Sequence, residues 1–271
     1  MSIENNKNND NDRESPNKDE LPFVAPCHLL PMNAPFKWIK EGWQDIKKAP
    51  KQSLTYGFIL LLLSYLITAC NYWFGNLGMF IGLITGFVFL GPILALNLYS
   101  ISARLERGAP NSISLNFKDA ISQISNEMIF TVILGIVFLI WARAATGIHI
   151  FFPENSDANW TEMLLFLGVG SSIGAIFCAI IFTASAFSLP MLLDKDTDTV
   201  SAVVSSINAV LRNKPAMMVW AAIIVGCVIV GVLTAYLAFV VLLPLLGHAT
   251  WHSYKDTIDA SDWPDRKIEE E

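Results

Sequence analysis

The sequence predicts an all-α membrane protein: six transmembrane helices paired as three hairpins, each hairpin preceded by a short interfacial amphipathic helix. Three observations predict this. Of the 271 residues, 53% are hydrophobic and 15% charged, whereas soluble domains carry about a quarter charged residues. One hydropathy unit recurs three times: an amphipathic stretch, a turn signal, then two apolar spans, with Pro92, Pro190 or Pro244 near the end of the second span. All basic residues but Arg143 lie in one set of connecting segments. In lipid, backbone groups have to be satisfied within the chain, which selects helices, and one crossing takes about 20 apolar residues.

The elements follow in order. Met1–Glu20 is rich in Asn, Asp and Glu, a composition that stays disordered, and residues 1–35 read as a cytoplasmic tail. It lacks the basic start, apolar core and small-residue cleavage site of a signal peptide. Phe36, Ile39, Trp43 and Ile46 then share a helical face, and Ala49-Pro50 breaks that helix. Spans Leu54–Phe74 and Leu77–Tyr99 complete the first unit. In the second, Phe117, Ile121, Ile124 and Met128 form the face, Ser125-Asn126 the break, and Met128–Phe152 and Met163–Leu189 the spans. In the third, Val200, Val203, Ile207 and Val210 form the face, and Asn213-Lys214-Pro215 the break. Its spans, Ala216–Leu233 and Ala235–Trp251, share the apolar stretch Ala216–Gly247, which is long for one helix and short for two. The membrane domain runs over residues 36–255, with units near 36–104, 115–195 and 200–255, and residues 256–271 form an acidic tail.

Orientation decides between five and six spans. Of the 18 Lys and Arg, 17 lie in Met1–Ser53, Ser100–Glu127, Pro190–Pro215 and His248–Glu271. Six spans put all four segments on one side, as the positive-inside rule requires, with both termini cytoplasmic. Trp38, Trp43, Trp220 and Trp251 suit headgroup depth. Gly78, Gly82 and Gly86, and then Gly170 and Gly174, form small-residue lanes that let helices approach closely. Cys27, Cys70, Cys178 and Cys227 form no CxxC motif and imply neither disulfide framework nor zinc site.

The strings WIKEGWQDIKKAPKQSLTYG, GFVFLGPILALNLYSISARLERG and LPLLGHATWHSYKD occur in that order. In them the chain, from Phe36 to Thr257, resembles the DUF2189 family of bacterial integral membrane proteins. Ala103 departs from the Ser-Arg pair expected there. The resemblance implies a bacterial inner-membrane location and no particular chemistry.

Few residues could carry chemistry. Arg143, inside the third span, is costly there and marks a functional position by default; it could meet an anionic group, pair with Glu154, Asp157 or Glu162, or snorkel to the outer surface. His149 reads as an interfacial histidine. His248 and His252, four apart, share a helical stripe with Asp256. That spacing fits a metal or haem site, although two histidines do not make one, and capping of a helix end is the default. Asp194, Asp196 and Asp198 resemble the start of a calcium loop but lack its Gly and Glu, so they read as an acidic helix start. Arg104, Glu106 and Arg107 read as headgroup anchors. Nucleotide, hydrolase, zinc-protease and nucleic-acid signatures are absent. No cofactor is implied.

Two classes of function remain. One is an accessory or structural membrane component whose partners are the bilayer and other membrane proteins or further copies of the chain. The other is a small permease for a lipid-like or neutral solute, with Asn97, Tyr99 and Arg143 among the polar groups on its path. A haem or metal carrier resting on His248 and His252 is a third, narrower reading.

Overall fold

The structure is a computed structural model and describes residues 22–74, 91, 93–126, 128–151 and 160–266. All regular secondary structure among them is helical: α1 (Ala34–Lys48), α2 (Pro50–Phe74), α3 (Leu96–Glu106), α4 (Ile113–Asn126), α5 (Met128–Phe151), α6 (Trp160–Ser185), α7 (Ser188–Asp194), α8 (Thr199–Arg212), α9 (Lys214–Leu233) and α10 (Phe239–Thr257). Two isolated β-bridges, Cys27 with Ile258 and Lys195 with Asp265, tie the terminal segments down.

Among the described residues, three helices are long and apolar enough to cross a membrane: Pro50–Trp73, Gly168–Asp194 and Lys214–Leu233. At 1.5 Å per residue, a 20-residue helix reaches about 30 Å, the thickness of the hydrocarbon core. The helix α5 adds 24 residues, and its stretch Gly135–Ala144 is a shorter apolar run. The expected second span, including Gly78, Gly82 and Gly86, lies mostly outside the described residues. Large apolar side chains such as Phe58, Leu62, Ile136, Ile176, Val225 and Ile229 face outward. A soluble protein does not carry so much exposed apolar surface; lipid covers it.

The breaks fall where proline and turn chemistry put them. α1 ends at Lys48 with two lysines in its last turn, favourable against the partial negative charge of a helix C-terminus, and Pro50 starts α2. Asp198 caps α8 by accepting from the N–H of Val200 and of Ser201 at 2.9 Å each. Pro215 sits in the first turn of α9, where its missing N–H costs nothing. The long stretch Ala216–Gly247 forms two helices, parted by a turn in which Ala235 and Tyr236 have positive φ (49° and 68°). Tyr65 donates its hydroxyl to the Ala235 carbonyl at 2.7 Å, and Tyr236 stacks on Phe239. A side chain at Gly231 would meet the Phe239 ring, so glycine is required for this tight return.

The helix α10 is the post around which α1, α2, α3, α7 and α9 pack. Pro244 lies inside it and has no N–H to give the Val240 carbonyl. Gly57 of α2 meets that carbonyl, and a Cβ there would clash with backbone. In contrast, Gly170 and Gly174 face open space among the described residues, so the lane expected on α6 is not a packed contact there.

Several orientations differ from the sequence reading. Trp38, Trp220 and Trp251 are fully buried in the polar end of the molecule rather than set at its surface, with Trp38 edge-on to Trp220 at 5.7 Å. On α1 the inward residues are Trp38, Gly42, Asp45 and Ile46, while Phe36 is 63% and Trp43 42% exposed. On α8, Ser201, Ala202, Ser205, Ser206 and Ala209 face inward, and Val200 and Leu211 are exposed. Small side chains let these helices come close to their neighbours, so Phe36, Trp43, Val200 and Leu211 turn out, while Ile46 and Val210 of the expected faces are buried. Residues 22–33, expected in the disordered tail, pack on the helices. The Ala25 N–H bonds the Ser205 hydroxyl at 2.8 Å, and Asn213 bonds Leu30 and His28. Residues 258–266, expected in the acidic tail, also pack back, burying Trp263.

Candidate functional site

The polar side chains converge on the end of the molecule where α1, α3 and α10 meet. Asp45 faces inward from α1 because it lies on the stripe that also holds Trp38 and Gly42. Ser102 of α3 donates to Asp45 Oδ2 at 2.8 Å, and His252 of α10 bonds the same oxygen at 2.8 Å. Since a carboxylate only accepts, the Ser102 proton is committed to Asp45. The Ser102 oxygen therefore accepts from His248 Nδ1, 2.8 Å away. In the neutral ring Nε2 is then the acceptor, and the Ser53 hydroxyl of α2 donates to it at 2.9 Å. The result is one chain of hydrogen bonds, Ser53–His248–Ser102–Asp45–His252, linking four helices. Burial would raise the Asp45 carboxyl, but the bonds from His252 and Ser102 hold it below its ordinary value.

A serine bonded to a histidine that is oriented through a carboxylate has the parts of a nucleophile and its base. Here Ser53 and His248 are completely buried. The arrangement joins helices.

Two further clusters do the same. Arg104, 0% exposed, holds Asp119 of α4 through Nε and Nη2 at 2.7 and 2.9 Å, and Ser100 adds a hydrogen bond at 2.6 Å. Asp194, at the end of α7, accepts from Arg107 at 2.7 Å, from the Tyr254 hydroxyl at 2.9 Å and from Lys255 at 3.3 Å. Lys255 also pairs with Glu106, which accepts from Trp251 Nε1. Arg104 is thus an internal tie rather than a headgroup anchor, whereas Glu106 and Arg107 join helices while remaining exposed.

The sequence-predicted residues are dispersed. His248, His252 and Asp256 do share the α1-facing side of α10, as their spacing requires, but each has its own partner. Both His248 ring nitrogens are taken by serines, and Asp256 binds Lys37 and Trp38 Nε1 at 2.7 and 2.9 Å. Among the described residues no group of three His, Cys, Asp or Glu could hold a metal. Tyr99 is buried. Asn97 is buried too, and its Nδ2 has no hydrogen-bond partner. Arg143 is exposed on α5, with no ion pair among the described residues. Glu154, Asp157 and the side chains of His149 and Glu162 lie outside those residues. Sequence reasoning missed Asp45, Ser53, Ser102 and Asp119. The available signal was a carboxylate on the small-residue stripe of α1.

No curated protein and no solved structure matches the chain. Residues 79–194 match the family model DUF2189, described as a predicted integral membrane protein. The matched segment includes Arg104, Asp119 and Asp194, while Asp45, His248 and His252 lie outside it. Over that segment, less than half of its length, the chain is similar to the DUF2189 family of predicted integral membrane proteins.

Proposed function

We propose that this integral membrane protein is an accessory or structural component of a bacterial inner membrane. In this reading six helices cross as three hairpins, each following an interfacial helix, and both termini are cytoplasmic. One observation carries it: the histidines and buried carboxylates of the α1–α3–α10 end are bonded across helices, while large apolar side chains point outward. Side chains arranged this way hold helices together and leave the outer surface for lipid or for other membrane proteins. The order amphipathic helix, short break, long apolar helix in α1–α2, α4–α5 and α8–α9 supports the threefold unit. The turn between α9 and α10 supports a third hairpin. The lysine and arginine distribution supports the orientation.

A second reading, a permease for a neutral or lipid-like solute, draws on Asn97, whose buried Nδ2 lacks a partner. Native mass spectrometry of the protein released gently from its own membrane separates the two. A co-released subunit in fixed ratio supports the accessory role. A small bound molecule that is lost in Asn97→Ala, with no subunit present, overturns it in favour of the permease.

A further inference from the structure

We infer that the outward face of α1 is a docking surface for anionic phospholipid headgroups. The inference rests on the proposed interfacial position of α1 and adds the lipid chemistry it selects. At 100° per residue, Phe36, Lys40, Trp43 and Lys47 fall within an arc of about 60°. The opposite side, with Trp38, Gly42 and Asp45, is buried against the rest of the protein, whereas all four residues of the arc are exposed. Lys47 Nζ stands 5.9 Å from the Trp43 ring centroid. Beyond the break, exposed Lys51 is followed by exposed Leu54 and Phe58 of α2. The stripe therefore runs without interruption into the apolar belt.

Charge on this face is one-sided. Lys37 is engaged by Asp256, and Glu41 lies near His252, 3.9 Å away. Asp45 is turned inward. Lys40, Lys47 and Lys51 are left facing out with no carboxylate in their arc. Aromatic rings settle at the acyl boundary while lysine stems carry their ammonium groups to phosphate depth. Each lysine near an anionic surface strengthens binding about fivefold, so three amount to roughly a hundredfold.

The test uses the full-length protein in nanodiscs of equimolar phosphatidylcholine and phosphatidylglycerol, with retained lipid counted by native mass spectrometry. Wild type is expected to retain phosphatidylglycerol preferentially. K40Q/K47Q/K51Q is expected to lose that preference with its melting temperature unchanged, since these side chains are exposed. A parallel measurement, quenching by brominated phosphatidylcholine in wild type against Trp43→Phe, reports whether Trp43 itself touches lipid. If Trp43 is quenched but wild type shows no headgroup preference, or the triple variant keeps it, the lipid choice is overturned and the interfacial position stands. If Trp43 is not quenched, both fall.

Discussion

Replacing Asp194 with alanine isolates one junction of the polar end. Its carboxylate joins three parts of the chain: the end of α7, Arg107 after α3, and Tyr254 and Lys255 on α10. The Tyr254 hydroxyl is buried and would lose its acceptor, a loss of about 2 kcal/mol. Arg107 is partly exposed and keeps bonds to the carbonyls of Asp194 and Arg266, so its lost ion pair adds only about 1 kcal/mol. Lys255 keeps Glu106. The sum is about 3 kcal/mol. For a chain of this size that lowers the melting midpoint by roughly 6–9 °C. Intrinsic fluorescence is a suitable assay, because Trp251 lies 5.7 Å from the Tyr254 ring. Asp194→Ala combined with Tyr254→Phe removes the stranded hydroxyl and should recover about half the loss. A single variant melting within about 1 °C of wild type, or a double variant whose losses simply add, would refute the reasoning.

Other predictions follow from the same geometry. Asp119→Ala strips the two-point carboxylate from buried Arg104 and should destabilise by about 3–5 kcal/mol, whereas Arg143→Ala, on an exposed position, should stay within about 0.5 kcal/mol in the same melting assay. Gly57→Ala pushes a methyl into the Val240 backbone and should cost about 1–3 kcal/mol, while Gly174→Ala, in open space, should leave the midpoint unmoved. Asp45 and Asp256 have carboxyls held below the ordinary 3.8, so their contribution is present above that value and is lost as pH falls through the folded value. Lys37 is raised above 10.5, so its contribution is present below that value and is lost as pH rises through the folded one. A midpoint-against-pH curve should therefore fall at both extremes; a curve that stays level through both would contradict these assignments.

Helix order was legible because its signals are local. Ala49-Pro50, Asp198, Lys214-Pro215 and the stripe His248, His252, Asp256 each act within a few residues, and each stands where its chemistry requires. The inward faces of α1 and α8 were legible only in part: Ile46 and Val210 are buried as expected, whereas Phe36, Trp43 and Val200 are exposed. Hydrophobic periodicity marks the stripe of large apolar residues, and in water that stripe would be buried; beside lipid it can face out, and small residues such as Gly42, Ala202 and Ser205 take the protein contact. The tryptophans were misplaced for a related reason. Headgroup depth is a common place for Trp, yet Trp38 and Trp251 have carboxylate partners for their N–H groups, Asp256 and Glu106, that lie 218 and 145 residues away in sequence. The same distance hid the site: Asp45 meets Ser102 and His252, and Asp194 meets Arg107 and Tyr254, only once the helices are assembled.

The measurement that tests the central claim most directly is the side of the membrane on which the C-terminus lies. Fluorescent-protein and alkaline-phosphatase reporters fused after Glu271 of the full chain read this in cells. A fluorescent, phosphatase-silent terminus is expected, on the same side as a reporter at Met1, as six crossings and a cytoplasmic polar end require. An active phosphatase after Glu271 would contradict it, leaving an odd number of crossings and removing the shared side on which α1, α3 and α10 are proposed to meet.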